Sequence, residues 1–174
     1  MKDLIQIDGE EKTMHTLANL YQKVWGLKDH QSIYKNFLKH TTYEGYKGLA
    51  AENREGEIIG FAYGYTSLPG QYYNSLLIRE FRSEEKEKWF CNCFEFVELL
   101  VDPLYRKQGY GRMLASHLLE GINHKTAILT TQANNHAAQH LYRQLGWQVI
   151  KEPFFPNEPS EPFVIMGKER TEHS

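Results

Sequence analysis

The segment that most constrains this chain is its strongest strand pattern, which runs directly into a glycine-containing turn. Residues Cys93–Val101 read CFEFVELLV, and Asp102 and Pro103 follow them. Such a run of apolar and aromatic side chains predicts a largely buried strand. The spacing of the apolar residues that come next predicts a helix over Gly109–Gly121. We therefore expect a strand, a short turn and a glycine-opened helix in direct succession.

The turn before this helix has the composition of an anion-binding site. Gly109 and Gly111 allow the backbone to approach a ligand closely. The first N–H groups of a helix lack intrahelical partners and carry a partial positive charge. Arg106, Lys107 and Arg112 add cationic side chains around the same turn. Together these features predict a phosphate site, and a pyrophosphate would suit it well.

Three common nucleotide-site and active-site motifs do not fit the same letters. A dinucleotide-binding fold needs G-x-G-x-x-G, but the third position here is Leu114, and the next predicted strand, Thr126–Thr131, holds no acidic residue. The sequence contains no G-x-x-x-x-G-K-[ST] phosphate loop. It also contains no G-x-S-x-G nucleophile motif.

The remaining periodic segments predict a mixed α/β fold, with antiparallel strands early and strand–helix alternation late. The polar tetrapeptide Asn53–Gly56 is predicted to turn a hairpin. Gly60 and Gly64 in its second strand predict a bulge or the close approach of another backbone or a ligand. The predicted strands are Asp3–Asp8, Tyr46–Ala51, Glu57–Ser67, Cys93–Val101, Ala127–Thr131, Trp147–Lys151 and Phe163–Gly167, and the predicted helices are Thr13–Val24, Gln31–His40, Gly109–Gly121 and Asn135–Leu145.

Chain length predicts one domain over residues 1–174, because 174 residues correspond to about one domain. No internal repeat or linker segment divides the sequence. An inserted helical segment is expected over residues 71–92, and a proline-rich loop over Pro153–Pro162.

Composition excludes several classes of function. The net charge of −2 supplies no basic excess for a nucleic-acid backbone, so we expect no nucleic-acid partner. No apolar run approaches the ~20 residues of a membrane span, and the N-terminus lacks the pattern of a secretory signal. Cys91 and Cys93 lie too close together in sequence for a disulfide between them to stabilise the fold, which favours a reducing, cytoplasmic compartment.

Two motifs link the glycine turn to a known family. L-x-V-x-P-x-x-R-x-x-G-x-G is matched over Leu99–Gly111, and N-x-x-A-x-x-L-Y-x-x-x-G-[FW] over Asn135–Trp147. In this order and at this separation they resemble the GNAT superfamily of acetyl-CoA-dependent N-acetyltransferases. The resemblance implies a mixed, mostly antiparallel sheet with flanking helices. It also implies that acetyl-CoA lies in a gap between two splayed parallel strands, here Phe94–Val101 and Thr126–Thr131.

The resemblance also implies roles for particular residues. Backbone groups of Leu99, Leu100 and Val101 would hold the pantetheine arm and the acetyl carbonyl, and the following turn would hold the pyrophosphate. Asn135 would cap its helix and also reach the cofactor arm. The residues of the turn are Arg106, Lys107, Gln108, Gly109, Tyr110, Gly111 and Arg112.

For catalysis the resemblance implies direct attack of an amine on the thioester. Tyr142 occupies the position of the family's usual tyrosine acid, and Glu95 that of the glutamate base in histone-type members. Glu98 is an equal candidate base; three residues from Glu95, it would face the other side of a regular strand unless a bulge changes the alternation. Some members that acetylate protein N-termini carry their glutamate on the next strand, where this chain has Thr130.

Several alternatives stay open at this point. Tyr142 is equally compatible with core packing, Glu95 and Glu98 with solvated or paired strand positions, and Arg106 and Arg112 with surface charge. His136 and His140 share a helix face, but their spacing alone does not make a metal site, and no metal is expected. A coenzyme A-binding relative without catalysis is one rival function, and a nucleotide-binding module that merely looks similar is another. The amine acceptor, a small molecule or a peptide, and a homodimeric state are left open.

Overall fold

The structure is a computed structural model that describes residues 3–157 and 161–170. Seven strands form one sheet, in the order β1-β2-β3-β4-β5-β7-β6, and the described part of the chain also contains six α-helices. The strands are β1 (Asp3–Gln6), β2 (Lys47–Glu52), β3 (Ile58–Thr66), β4 (Cys93–Val101), β5 (Thr126–Gln132), β6 (Gln148–Phe154) and β7 (Phe163–Glu169). The helices are α1 (Glu11–Trp25), α2 (His30–His40), α3 (Tyr72–Ile78), α4 (Ser83–Phe90), α5 (Tyr110–Leu119) and α6 (His136–Gln144).

The pairing of the strands confirms a mixed sheet. β4 and β5 are parallel, with Cys93–Glu95 opposite Thr126–Ile128. The pairs β1–β2, β2–β3, β5–β7 and β6–β7 are antiparallel. The predicted splay of β4 from β5 beyond these residues stays a prediction.

The chain forms two compact units, each with its own core. The first comprises the described chain up to Tyr65 together with Val97–Glu120, and the second comprises Thr66–Phe96 and the described chain from Gly121 onward. Strand β4 passes from the second unit into the first between Phe96 and Val97. The expectation of one domain over the whole length stays a prediction.

In the first unit, the apolar faces of α1 and α2 are buried against strand residues. Met14, Leu17 and Leu20 recur at helical spacing along α1, and all three are buried. Phe37 of α2 makes edge-on ring contacts with Phe61 and Tyr63 of β3. The buried members of this core, which we call the α1–α2 cluster, are Ile7, Met14, Leu17, Leu20, Phe37, Ala50, Phe61, Tyr63 and Leu100.

Gly60 lies where β3 closely approaches another backbone, as its position in a predicted strand had indicated. A Cβ atom there would be 3.0 Å from the carbonyl oxygen of Leu100 and 3.4 Å from Cδ1 of Leu114. A backbone oxygen cannot swing away as a flexible side chain can. The absence of a side chain at Gly60 therefore keeps the end of β4 seated against β3.

The second unit contains the predicted helical insert. Residues 71–92 form two short helices, α3 and α4, whose apolar residues are buried with residues of β4, β5, β6 and β7. Gly167 of β7 makes room for this packing, because a Cβ atom there would lie 2.6 Å from Cζ3 of Trp89. The buried residues of this core are Leu76, Leu77, Phe81, Trp89, Cys93, Ile128, Phe154 and Ile165.

The end of β6 differs from the prediction. The strand was expected to stop at Lys151 and a loop to begin at Pro153, yet β6 continues to Phe154, which pairs with Phe163 of β7. The register shifts between Lys151 and Phe154, so Pro153, which has no N–H to donate, falls in an irregular stretch. Burial of Phe154 supplies the apolar contact that holds the strand there. The predicted loop therefore starts later, and its residues 158–160 lie outside the described residues.

The hairpin turn is confirmed in detail. The Asn53 side-chain oxygen accepts hydrogen bonds from the N–H groups of Glu55 and Glu57, at 3.0 and 2.9 Å. Gly56 follows with a positive φ of 79°. A short amide side chain that bonds its own turn is the reason asparagine is favoured at such positions.

Within the described residues, no helix combines the length and the apolar character that a membrane crossing requires.

Candidate active site

The turn between β4 and α5 has the backbone conformation of an anion cradle. A 3-10 turn over Pro103–Tyr105 follows β4, and Lys107 and Gly109 then adopt positive φ angles of 61° and 88°. A left-handed residue followed by a right-handed one, as at Gly109 and the first helical residue Tyr110, points successive N–H groups toward one concave side, which is the geometry of an anion-binding nest. Helix α5 begins immediately afterward at Tyr110, so its positive end adds to the same site.

All seven predicted phosphate-binding residues are consecutive in this turn and in the first turn of α5. Arg106, Lys107 and Arg112 are exposed, as a contact with a ligand from solvent requires. The Arg106 Nε–H donates to the carbonyl oxygen of Val101 at 3.3 Å, which directs the guanidinium group back over the end of β4. The residues present therefore fit a diphosphate, both in backbone conformation and in charge.

Two residues that sequence reasoning missed fix the beginning of this turn. The Asp102 carboxylate accepts a hydrogen bond from the N–H of Leu104 at 2.9 Å, and the Asp102 N–H donates to the carbonyl of Ile59 at 2.8 Å. The Lys23 ammonium on α1 lies 2.9 Å from Oδ2 of the same carboxylate. One acidic side chain thus connects the end of β4, the 3-10 turn and α1.

Glu98 on β4 is a carboxyl group held deep in the first unit, although part of its side chain remains accessible to solvent. Burial disfavours the ionised form and raises the pKa of Glu98 to about 8, while a hydrogen bond from the Tyr21 hydroxyl opposes that rise. The same burial and the nearby carboxylate raise the pKa of Tyr21, so its hydroxyl stays protonated and able to donate. Near neutral pH Glu98 can therefore both take up and release a proton.

A second tyrosine lies within the electrostatic field of Glu98. Tyr63 of β3 is buried, and burial together with the charge of Glu98 raises its pKa well above the usual value. Its hydroxyl lies 2.6 Å from Nδ1 of His40 at the end of α2. Burial lowers the pKa of His40 to about 4, so that imidazole is neutral at neutral pH. Glu98 is therefore near two phenols, one of which contacts a neutral imidazole.

Two residues of β4 three positions apart, on either side of Glu98, contact the same apolar core. Val97 and Leu100 both pack against the α1–α2 cluster, although residues three apart in a regular strand face opposite sides. Tyr21, the hydrogen-bond partner of Glu98, packs against that cluster as well. A bulge would bring Glu98 to the same side as Val97, and its presence in β4 stays a prediction.

Glu95, the other predicted base, lies in the second unit. It is 3% exposed and is opposite Ile128 in the parallel pairing of β4 with β5. Thr130, further along β5, forms a hydrogen bond of 2.8 Å with the hydroxyl of Tyr73 on α3. The position that holds a carboxylate in some N-terminal acetylating members is thus engaged with the insert through a hydroxyl pair.

The second motif also lies in the second unit. The Asn135 side chain caps α6 by accepting from the N–H of Ala138 at 3.1 Å, which confirms its predicted capping role. Tyr142 is 7% exposed and packs edge-on against Phe96 and Trp147, with ring centroids 5.9 and 6.1 Å apart. The Tyr142 ring is therefore packed in the core, as one of the two interpretations of this residue expected. The role of its hydroxyl as an acid stays a prediction.

The structure thus gathers the predicted residues into two groups. Glu98, the Leu99–Val101 segment and the glycine turn belong to the first unit, whereas Glu95, Asn135 and Tyr142 belong to the second. Among the described residues, no three His, Cys, Asp or Glu side chains are grouped so that they could hold a metal ion.

Tyr21 and Lys23 were missed because their partners are distant in sequence. Tyr21 fits the apolar stripe of α1, and nothing in that periodicity indicates that its hydroxyl meets a carboxylate on β4. Lys23 lies 79 positions before Asp102 and has no local partner that would mark it. One signal was available in the sequence. Tyr21 occupies a core position, and a buried tyrosine hydroxyl needs a hydrogen-bond partner.

Burial of Glu98 leads to a prediction about stability. Because its pKa rises from 4.5 to about 8 on folding, its ionisation destabilises the folded protein as the pH increases through that range. The free energy of unfolding of the wild type should fall relative to that of Glu98→Gln by on the order of 2–4 kcal/mol between pH 4.5 and 8. Urea unfolding at several pH values measures this, with the exposed Glu55→Gln as control. A difference between wild type and Glu98→Gln that does not change with pH would contradict the buried-carboxyl assignment.

Comparison with known proteins identifies the family. The model of the acetyltransferase (GNAT) family matches residues 11–147. The GCN5-like protein acetyltransferase of Mycobacterium tuberculosis is 30% identical over 128 residues, which cover 68% of this chain and 62% of that protein. The ribosomal protein bS18-alanine N-acetyltransferase of Escherichia coli K12 is 35% identical over 75 residues, which cover 40% of this chain and 51% of that protein. The matched region thus spans about half to three-fifths of the length of these curated relatives.

The fold agrees with this result. The crystal structure of the ribosomal-protein-S18-alanine N-acetyltransferase from Escherichia coli superposes with a TM-score of 0.67 and 20% identity, covering 97% of this chain and 94% of that one. The sequence motifs, the mixed seven-stranded sheet and the family match agree, and the chain belongs to the acetyltransferase (GNAT) family.

Proposed function

We propose that this protein is an N-acetyltransferase, which transfers the acetyl group of acetyl-CoA to a primary amine by direct attack in a ternary complex. The observation that carries the proposal is the Glu98 carboxyl group, whose pKa of about 8 suits a general base near neutral pH. Glu98 directly precedes Leu99–Val101, the backbone segment to which the family resemblance assigns the pantetheine arm and the acetyl carbonyl.

A base is needed because an amine with a pKa near 10 is mostly protonated at neutral pH. In the proposed mechanism, Glu98 takes the proton of the amine, directly or through a water molecule. The neutral amine nitrogen then forms a bond to the acetyl carbon, and the bond between that carbon and sulfur breaks. The second proton, which the nitrogen loses on becoming an amide, replaces the one that Tyr142 gives to the thiolate. Acetyl-CoA supplies the activated acetyl group and the thiolate that leaves. General base catalysis of this kind contributes roughly 10²–10⁴ in rate.

Two further groups complete the proposed mechanism. The N–H of Val101 is assigned to the developing oxyanion, and one such donor contributes roughly 10²–10³ in rate. The Tyr142 hydroxyl is assigned as the acid that donates a proton to the departing thiolate. This assignment rests on its position in the second motif. The nest at Gly109 and Tyr110 supports the assignment of the diphosphate to the turn before α5.

Binding of acetyl-CoA tests the placement of the diphosphate. Gly111→Val places a branched side chain at the start of α5, where the backbone is proposed to approach the phosphates. Acetyl-CoA binding by titration calorimetry should be abolished, while the circular dichroism spectrum and the unfolding midpoint stay close to wild type. Ser116→Val, later in the same helix, is the matched control and should bind normally. Unchanged affinity in Gly111→Val would refute the site.

The two candidate bases are separated by their pH–rate profiles. If Glu98 is the base, kcat/KM of the wild type should rise with pH through the pKa of that residue, because the carboxylate is the active form. Glu98→Gln should lower kcat/KM by about 10²–10⁴ and remove that limb. Glu95→Gln should retain the limb even if its rate is reduced. A limb that persists in Glu98→Gln and disappears in Glu95→Gln would reverse the assignment.

Tyr142→Phe tests the proposed acid. The substitution keeps the ring that packs on Phe96 and Trp147 and removes the hydroxyl alone. We expect kcat to fall by about 10²–10⁴ with little change in the affinity for acetyl-CoA. Trp147→Phe, which alters the same aromatic contacts, controls for packing. A turnover rate equal to wild type would remove Tyr142 from the mechanism.

The acceptor is proposed only as a primary amine of a small molecule or a peptide. Consumption of acetyl-CoA in a panel containing a polyamine, an aminoglycoside, free amino acids and lysine peptides identifies the class. Binding of acetyl-CoA without turnover of any amine would favour the rival function, a coenzyme A sensor or structural module.

A cytoplasmic location is part of the proposal. Cys91 is exposed, Cys93 is buried, and the two form no disulfide. Free cysteines of this kind are typical of a reducing compartment.

A further inference from the structure

Asp102 presents an electrostatic difficulty for the proposed diphosphate site. Its side chain is one-tenth exposed and lies at the start of the turn, five residues before Lys107. Burial opposes ionisation of this carboxyl group. Hydrogen bonds from Lys23 and the Leu104 N–H, together with the charges of Lys23 and Arg106, outweigh burial and lower its pKa, so it is ionised at neutral pH. A negative charge at that position repels the negative charges of a diphosphate bound to the same turn.

The fold nevertheless uses Asp102 because its oxygen caps the 3-10 turn. The Leu104 N–H donates to Oδ1, while the Lys23 ammonium approaches Oδ2 at 2.9 Å. The two oxygens thus have separate partners, one that orders the backbone and one that carries a positive charge. Lys23 reaches the turn from α1, so its charge is supplied by an element outside the phosphate-binding segment.

We propose that Lys23 is a specificity-determining residue, whose ammonium group neutralises Asp102 and thereby lets the turn accept a carrier that bears a diphosphate. This inference rests on the proposed function and goes beyond it, since the Lys23 ammonium is paired with protein and need not touch the ligand. Arg106 contributes to the same neutralisation and is also assigned to the phosphates, so it cannot separate the two effects. Lys23 can be tested separately.

The rival explanation is that Lys23 simply ties α1 to the turn. The two explanations differ in their dependence on the ligand. Loss of a structural contact between α1 and the turn would lower kcat/KM for every acetyl carrier. Loss of neutralisation would lower kcat/KM only for a carrier with phosphates. S-acetylpantetheine has the same thioester and pantetheine arm as acetyl-CoA and lacks the diphosphate, so it separates the two.

The experiment compares kcat/KM for acetyl-CoA and for S-acetylpantetheine with an amine identified by the acceptor panel. In Lys23→Met we expect kcat/KM for acetyl-CoA to fall by about fivefold to tenfold at low salt, as one uncompensated charge near two phosphates predicts. The value for S-acetylpantetheine should not change. The loss should shrink at high ionic strength, because salt screens the interaction.

A second substitution provides the rescue. Asn in place of Asp102 keeps an oxygen for the Leu104 N–H and removes the charge, so Lys23→Met/Asp102→Asn should regain the acetyl-CoA value of Asp102→Asn alone. Lys23→Arg should behave as wild type, and Lys12→Met, in the first turn of α1, is the control for loss of a surface lysine.

Three outcomes would overturn the inference. These are equal losses with both carriers in Lys23→Met, no loss with acetyl-CoA, or failure of Asp102→Asn to restore the double variant. If the wild type itself does not bind acetyl-CoA in calorimetry, the proposed function fails and the inference fails with it. Binding by the wild type, followed by any of the three outcomes, leaves the proposed function intact and rejects the role of Lys23.

Discussion

The burial of the Glu98 carboxyl group is the interaction on which the proposed chemistry depends. Desolvation by the surrounding protein raises its pKa, and the Tyr21 hydroxyl limits the rise by donating a hydrogen bond to the ionised form. The α1–α2 cluster supplies the apolar surroundings, because Tyr21 and Val97 pack against it. The same residues that form the core of the first unit therefore set the proton affinity of the proposed base.

Helix α1 contributes to two parts of the first unit through residues two positions apart. Tyr21 meets Glu98 on β4, and Lys23 meets Asp102 directly after β4. Side chains two residues apart on a helix point in different directions. The same part of α1 can therefore contact both β4 and the loop that follows it. Gly60 of β3 adds a second restraint, because its backbone lies close to the carbonyl of Leu100. The end of β4 thus contacts both α1 and β3 before the proposed diphosphate site begins.

Much of this could be predicted from local sequence. The hairpin turn at Asn53, the cap at Asn135, the close approach at Gly60 and the glycine-opened helix all depend on residues whose conformational preferences act over a few positions. The composition of the glycine turn predicts a phosphate site and the family resemblance implies the same one, and this assignment stays a prediction. Long-range pairs could not be predicted in this way, since neither Lys23 nor Tyr21 departs from an ordinary helix pattern. The predicted end of β6 was wrong because a long-range contact overrode a local signal. Pro153 predicts a loop locally, but the burial of Phe154 and its pairing with Phe163 extend the strand.

The hydroxyl pair of Thr130 and Tyr73 narrows where the proposed base can lie. Some family members that act on protein N-termini carry a carboxylate at the Thr130 position, and a threonine hydroxyl cannot accept an amine proton near neutral pH. Here that hydroxyl is engaged with Tyr73 of the insert, at 2.8 Å. This supports the proposal that the base is a carboxylate of β4. Between the two that β4 offers, Glu98 has the environment that brings its pKa near neutrality, with an adjacent phenol that donates to its ionised form. A chain that lacks the carboxylate on β5 thus has, on β4, a carboxyl group whose proton affinity suits the same task.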